Sequence, residues 1–391
     1  MNRKIVTIGG FLSFFLFGFV DNMKGPTIPA VIADLNLRYV AGGTLPLMAY
    51  FGFVSATLAT GPLSDLAGKK SVLIGAGVCL LLGVSGYGFL GSFLLLALSM
   101  FVLGLGLGAI EVGGNGLIVD LYQAKRGKYL NLLAFFHGLG SMTAPLYAGK
   151  LLASDISWRW VYRGSLFLIV LLPLFFLFIR YPHKRTESGG LDLRGVGKAA
   201  FTRVMVLYYV LIAVYVGAEI GIGTWMVEFL KVEKSYSIFL ASAFLSLFFG
   251  LMTVGRLLGS FVVDRIGYLK SMLIATAAAL VAIILGTFGS PALGFFIPIV
   301  GLFFSIMFPN VTAAVSDMHV ANRGTILGIL FTSAGIGGMA VPWLVGLWSD
   351  IGGLLFGFSG IAFFCLVMLV LVAILTRMHG EGNQVATTGV A

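Results

Sequence analysis

Cysteine and charge are scarce in this chain, and each scarcity excludes a class of protein. Only two cysteines, Cys79 and Cys365, occur in 391 residues. Both lie in apolar segments, so neither a disulfide framework nor a cysteine metal site is indicated. Charged residues make up 10% of the chain and apolar residues 59%. Such a composition, with hydrophobic segments along the whole length, is typical of an all-α polytopic membrane protein.

The sequence also lacks the motifs of common enzymes. The glycine-rich stretch LGLGLGAIEVGG (103–114) follows no predicted strand and carries no phosphate-binding lysine, so it does not indicate a nucleotide site. No Ser-His-Asp order and no cluster of metal ligands occurs. We therefore expect no enzyme activity, no catalytic residue, no metal and no cofactor.

Twelve apolar segments are long enough to cross a membrane as helices. Their approximate bounds are 5–33, 41–61, 72–91, 93–121, 129–152, 158–180, 203–230, 236–262, 270–289, 292–316, 323–347 and 353–377. No small-residue cleavage site follows the first segment, so we expect it to be retained as a span.

The basic residues between these spans predict the orientation. With both termini cytoplasmic, 17 Lys and Arg residues fall on the inner side and six on the outer side. This positive-inside bias predicts a protein of the plasma (bacterial inner) membrane. It also explains the net charge of +10 without a nucleic-acid partner, so the lipid bilayer and a small-molecule substrate are the expected partners of a monomer.

The longest polar stretch, RYPHKRTESGGLDLRGVGK (180–198), divides the chain into similar halves. It predicts a six-helix bundle at 1–180, a cytoplasmic linker at 181–200, and a second six-helix bundle with a short tail at 201–391. HGLGSMTAP (137–145) recurs as AGIGGMAVP (334–342), and SDLAG (64–68) as VDRIG (263–267), at shifts of 197 and 199 residues. Six spans per half make the repeat parallel, and such folds bind substrate between the halves near the midplane.

Several motifs resemble those of one transporter family. GPLSDLAGKKS (61–71) resembles the loop signature of the major facilitator superfamily. GAIEVGGN (108–115), YVGAEIGIGTWM (215–226), SIMFPN (305–310) and GGMAVPWLVGLWSD (337–350) most resemble its fucose and glucose permease branch. The resemblance covers all twelve spans. It implies two pseudo-symmetric six-helix halves and a proton- or sodium-coupled sugar importer that works by alternating access.

Setting aside ionisable residues near loops and helix ends, we take Asp21, Lys24, Glu111 and Glu219 as the intramembrane charges, with His137 near the inner end of span 5. An unpaired charge at this depth costs roughly 2.5–3.5 kcal/mol or more, so these residues are expected to face a partner or a wet cavity. Asp21 and Lys24 are three residues apart and can pair directly. Asp21 and Glu219 align between the halves at a shift of 198 residues.

Glu111, Glu219 and Asp21 are therefore the candidates for carrying the coupling proton, with sodium as an alternative ion. Glu111 has no acidic counterpart in the second half, which favours a dedicated role. The resemblance implies the same, because Glu111 falls where fucose permeases carry a glutamate implicated in proton coupling and substrate binding. Lys24 departs from that family, which leaves the identity and charge of the sugar open.

Candidate substrate-binding residues are Asn22, Lys24, Asn115, Trp225 and Asn310. An asparagine amide donates and accepts, which suits sugar hydroxyls, although bonds between helices explain such residues equally well. Lys24 can instead neutralise Asp21 or Glu111. Trp225 can stack on a sugar or simply pack.

Charges beside spans 2 and 8 predict a latch between the halves. The predicted latch residues are Asp65, Lys69, Lys70, Arg126, Asp264 and Arg265. A carboxylate at Asp65 can accept from a neighbouring helix N-terminus and pair with a base. The alternative is that these are solvated loop charges.

Two other functions remain open. GSMTAPLYAG (140–149) partly resembles the span-5 motif of drug antiporters, with alanines in place of its glycines, so a proton-driven exporter of drugs or metabolites is an alternative. A membrane sensor that does not transport is the other, although it would be expected to carry a soluble domain.

Overall fold

The computed structural model describes residues 3–179, 200–318 and 323–388, and every regular element in these ranges is a helix. The helices form twelve spans, numbered 1 to 12 in chain order. Their bounds are Arg3–Asn22 with Lys24–Asp34, Tyr39–Ala67, Lys69–Phe89, Phe93–Leu121, Arg126–Ala153, Trp158–Ile169 with Leu171–Phe178, Arg203–Glu233, Ile238–Ile266, Tyr268–Phe288, Phe296–Phe304 with Met307–Met318, Arg323–Gly352, and Leu354–Thr388.

Eleven of these spans are long and apolar enough to cross a membrane by length and composition. Span 5 is less apolar, but its 28 residues correspond to about 42 Å of helix, which exceeds the hydrocarbon thickness. The predicted twelve-helix fold is thus confirmed. The predicted linker at 181–200 lies, apart from Ala200, outside the described residues.

Proline explains three interruptions in the spans. Helices end at Asn22, at Ile169 and beside Ser305, and each of these positions is four residues before a proline: Pro26, Pro173 and Pro309. A proline donates no N–H and its ring crowds the carbonyl four residues earlier. The break in span 1 separates Asp21 from Lys24, and discontinuous helices of this kind often flank transport sites.

The connections alternate between two ends of the bundle. Residues 35–38, 90–92, 154–157, 234–237 and 289–290 lie at one end, here called the Arg38 end. Gly68, residues 122–125 and Gly267 lie at the other, the Lys69 end. Gly68 and Gly267 have φ of 82° and 83°, a backbone region that favours glycine. Their matching geometry follows the sequence repeat.

Two buried hydrophobic clusters hold the bundle together. One draws on residues 6–176 and the other on residues 200–375 with Ile28 from span 1. The two sets of spans meet through the pairs 1 and 7, 2 and 11, and 5 and 8. Spans 1 and 7 approach closely at Gly25, which has no Cβ. A Cβ at this position would collide with the carbonyl oxygen of Gly223, so a larger residue would force the two spans apart.

Candidate functional site

The break in span 1 carries a buried ion pair. Lys24 Nζ donates to Asp21 Oδ1 at 2.5 Å, and the two side chains are 6% and 7% exposed. Tyr50 of span 2 donates its hydroxyl to Asp21 Oδ2 at 3.4 Å, and its ring centroid lies 5.1 Å from Lys24 Nζ. The structure thus brings Asp21 and Lys24 together, as the three-residue spacing predicted.

Glu111 of span 4 is oriented by its own helix. Asn115 Nδ2 donates to Glu111 Oε1 at 2.9 Å and to the Glu111 carbonyl at 2.8 Å. Both side chains are half-buried. Asn115 therefore orients one carboxylate oxygen of Glu111. In this structure Asn115, predicted to bind substrate, contacts Glu111, predicted to carry the proton.

Arg256 of span 8 is a central charge that the sequence reasoning missed. Its guanidinium interacts electrostatically with Glu111 of span 4 and Glu219 of span 7. The buried hydroxyl of Tyr215 faces both Glu219 and Arg256. Arg256 precedes the helix end at Ile266 by ten residues, about 15 Å of helix. That depth was the available signal, because it places the guanidinium well inside the hydrocarbon zone.

These residues form one group, called here the central cluster: Asp21, Lys24, Tyr50, Glu111, Tyr215, Glu219 and Arg256. Tyr50 interacts electrostatically with Asp21, Glu111 and Glu219, and Glu219 also interacts with Asp21. Spans 1, 2, 4, 7 and 8 therefore converge on one site between the halves. The cluster contains three carboxylates and two cations. Glu111 does not stand apart from this charge network, because Arg256 interacts with it electrostatically.

His137 of span 5 lies at the edge of this group. Its ring packs edge-on against Phe17, with centroids 4.7 Å apart, and it interacts electrostatically with Arg256 and Asp21. Among the described residues, no group of three or more His, Cys, Asp or Glu side chains is arranged to hold a metal ion.

The other predicted substrate residues occupy different environments. Asn22 is 8% exposed and donates to Ser141 Oγ at 3.0 Å, which joins span 1 to span 5. Trp225 is fully buried, and its Nε1 donates to the Pro342 carbonyl at 2.8 Å. Asn310 is 5% exposed, and within the described part of the chain its Nδ2 has no hydrogen-bond partner. Only Asn310 therefore has an amide donor left for a ligand among these three.

The structure describes the side chains of only some of the predicted latch residues. Lys69 Nζ pairs with Asp120 Oδ2 at 2.5 Å, within the first half, and Lys70 Nζ donates to the Leu177 carbonyl at 3.2 Å. Arg126 and Arg265 are exposed. Asp65 and Asp264 fall outside the residues whose side chains are described, so the latch stays a prediction.

A family model described as Major Facilitator Superfamily matches residues 10–319 and 245–389. The chain is 25% identical over 360 residues to a glucose/galactose transporter of Brucella abortus biovar 1 (strain 9-941), which covers 87% of this chain and 86% of that protein. It is 23% identical over 382 residues to the sodium-dependent glucose transporter 1A of Mus musculus, covering 86% of this chain and 88% of that one.

Solved structures show the same fold. A crystal structure of a D-xylose-proton symporter matches with a TM-score of 0.76 at 15% identity, covering 96% of this chain and 97% of that one. FucP, a Major Facilitator Superfamily transporter in the outward conformation, matches with a TM-score of 0.66 at 17% identity, covering 96% and 99%. The resemblance to the sugar permease branch noted in the sequence is confirmed.

Proposed function

Since the chain belongs to the Major Facilitator Superfamily, it is an integral membrane transporter and not an enzyme, and we propose that it imports a sugar or similar small polar solute together with a proton by alternating access. The observation that carries this proposal is the charge of the central cluster. Among the residues that the structure describes, three carboxylates share this site with two cations.

One uncompensated carboxylate at membrane depth is costly unless it binds a proton or a metal cation. One monovalent cation makes the cluster neutral, counting His137 as uncharged. A neutral cluster can be enclosed by the two halves at lower cost than a charged one. This supports coupling of one cation to each solute, and a neutral solute fits that count better than an anionic one.

The chemistry of the site supports a polyhydroxylated solute. Asn310 Nδ2 and Arg256 Nε are buried donors without a hydrogen-bond partner in the described ranges, and the half-buried carboxylates of Glu111 and Glu219 accept. Donors and acceptors of this kind suit hydroxyl groups, which both donate and accept. The names of the relatives, a glucose/galactose transporter and a sodium-dependent glucose transporter, favour a sugar and leave sodium as the second candidate ion.

The basic residues bear on the orientation of the chain in the membrane. The positive-inside bias supports cytoplasmic termini, with the Lys69 end inside and the Arg38 end outside, in a bacterial inner membrane.

Uptake into proteoliposomes tests the proposal. Labelled glucose, galactose, fucose and a cationic drug would each be offered under an inward proton gradient, an inward sodium gradient, or neither. We expect accumulation of a neutral sugar with the proton gradient alone. Accumulation with the sodium gradient alone would show that the coupling ion is sodium and not a proton. Expulsion of the drug without accumulation of any sugar would show that the protein is a proton-driven exporter and not a sugar importer.

A further inference from the structure

Span 2 begins without a cap of its own. Its N-cap residue is Arg38, and no side chain in that helix caps it. Ser, Thr, Asp and Asn are preferred at this position because their oxygens accept from the free backbone N–H groups of the first turn. Spans 4 and 8 follow the rule, since Ser92 and Ser237 accept from the third residue after them.

The missing acceptor comes from the other half of the molecule. Asp350 lies near the end of span 11, and its side chain is 6% exposed. Its Oδ1 accepts from the backbone N–H of Tyr39 and its Oδ2 from that of Val40, both at 2.9 Å. One carboxylate therefore satisfies the first two backbone donors of span 2 and faces the positive end of the helix dipole.

Arg38 contributes less to this contact than the backbone does. Its Nε is 3.6 Å from Asp350 Oδ2, and its side chain is 77% exposed. Exposed ion pairs of this kind contribute little because water and salt screen them. The bond between Asp350 and the helix terminus is buried and is not screened in this way.

Other contacts between the halves surround this cap. Trp225 packs edge-on against Tyr39, with ring centroids 5.8 Å apart, and it donates to the Pro342 carbonyl of span 11. A Cβ at Gly43 would lie 2.9 Å from the Pro342 carbonyl oxygen, so span 2 and span 11 touch through their backbones. The structure is thus closed at the Arg38 end.

We infer that Asp350 is the latch of the Arg38 end. Its carboxylate caps span 2 while that end is closed and must leave the two N–H groups when the halves separate there. Loss of the carboxylate then favours the state that is open at the Arg38 end. This inference concerns conformation and does not depend on which solute or ion is carried.

Spin-label distances test the inference in the full-length protein reconstituted in lipid. Cys79 and Cys365 would first be replaced by serine. One label pair, Ser154→Cys with Ser290→Cys, spans the halves at the Arg38 end, and a second, Lys128→Cys with Lys270→Cys, spans them at the Lys69 end; all four positions are exposed. With Asp350→Asn we expect the long-distance population of the first pair to rise at least about tenfold relative to the short one, and the second pair to shorten.

Asp34→Asn is the matched control. Asp34 lies at the same end, but its partners Arg159 and Trp158, at 3.3 and 3.1 Å, belong to the first half. It should leave both distance distributions unchanged. The inference is overturned if Asp350→Asn leaves the distances unchanged, or if Asp34→Asn shifts them equally.

A second pair of variants removes the donor and keeps Asp350. Tyr39→Pro and Tyr39→Ala both delete the ring, but only proline deletes the N–H. Proline is tolerated at the first helical position, and Arg38, with φ −77° and ψ 159°, already has the backbone that precedes proline. We expect Tyr39→Pro to open the Arg38 end more than Tyr39→Ala does. Equal opening in the two would contradict the latch.

Discussion

Lys24 Nζ and Asp21 Oδ1 lie 2.5 Å apart on the two sides of the break in span 1, almost entirely out of contact with solvent. Removing one partner leaves a lone buried charge, at a cost of about 3–5 kcal/mol, whereas removing both does not. We therefore expect Asp21→Asn with Lys24→Met to be more thermally stable in detergent than either single variant, as measured by size-exclusion chromatography after heating.

The exposed pair of Lys69 and Asp120 provides the comparison. Its side chains are 21% and 36% exposed, so a double-mutant cycle should give less than about 1 kcal/mol of coupling. If the losses of thermal stability caused by the single changes at Asp21 and Lys24 also add up without coupling, the two residues have separate roles. Contact between Lys24 and substrate then becomes the better interpretation.

Arg256 is expected to be essential because its guanidinium interacts electrostatically with both Glu111 and Glu219. Arg256→Met leaves both carboxylates without it and should reduce solute counterflow at least about tenfold. Arg256→Met with Glu219→Gln removes one charge of each sign and should recover part of the counterflow. Counterflow unchanged in Arg256→Met would remove Arg256 from the site.

We predict that Asn22 has a structural role and that Asn115 affects solute binding. Asn22 bonds span 1 to span 5, so Asn22→Ala should lower stability by about 1–3 kcal/mol and leave the half-saturating solute concentration unchanged. Asn115→Ala frees the Glu111 carboxylate and should raise that concentration. Binding and thermal-stability measurements on both variants decide, and the opposite assignment would show that Asn22 contacts the solute.

Asp65 is the predicted latch of the Lys69 end. Asp65→Asn should reduce transport and increase the labelling of single cysteines placed at that end, while equilibrium solute affinity changes little. The direction is opposite to that expected for Asp350→Asn. A collapse in affinity with no change in labelling would show that Asp65 does not act as a latch.

Local sequence patterns predicted the parts of this molecule that depend on one helix. Apolar length gave the twelve spans, and a three-residue spacing gave the pair of Asp21 and Lys24. The break in span 1 follows from Pro26 in the same way. Each of these features depends on residues close together in the chain, which is why the sequence was sufficient.

Contacts between residues on different spans could not be predicted from the sequence. Lys69 pairs with Asp120, 51 residues away, and no local pattern indicates this partner. Asp350 caps span 2 from 311 residues away, so nothing beside Arg38 indicates what replaces its missing cap. Arg256 differs from these, because the sequence alone shows that it lies deep in span 8. Only the identity of its partners had to come from the structure.

The central claim is that one carboxylate of the cluster carries the coupling proton, and Glu111 is the candidate. Glu111→Gln imitates the protonated acid at nearly constant shape, so solute exchange can continue while a proton can no longer be loaded and released. Glu219→Gln should instead weaken binding more than coupling.

The decisive measurement compares two assays of Glu111→Gln in the same proteoliposomes. The account predicts that solute counterflow persists while accumulation driven by a proton gradient is lost. Accumulation of solute against its gradient by Glu111→Gln would contradict the account, and the coupling ion would then bind at Asp21 or Glu219 or be sodium.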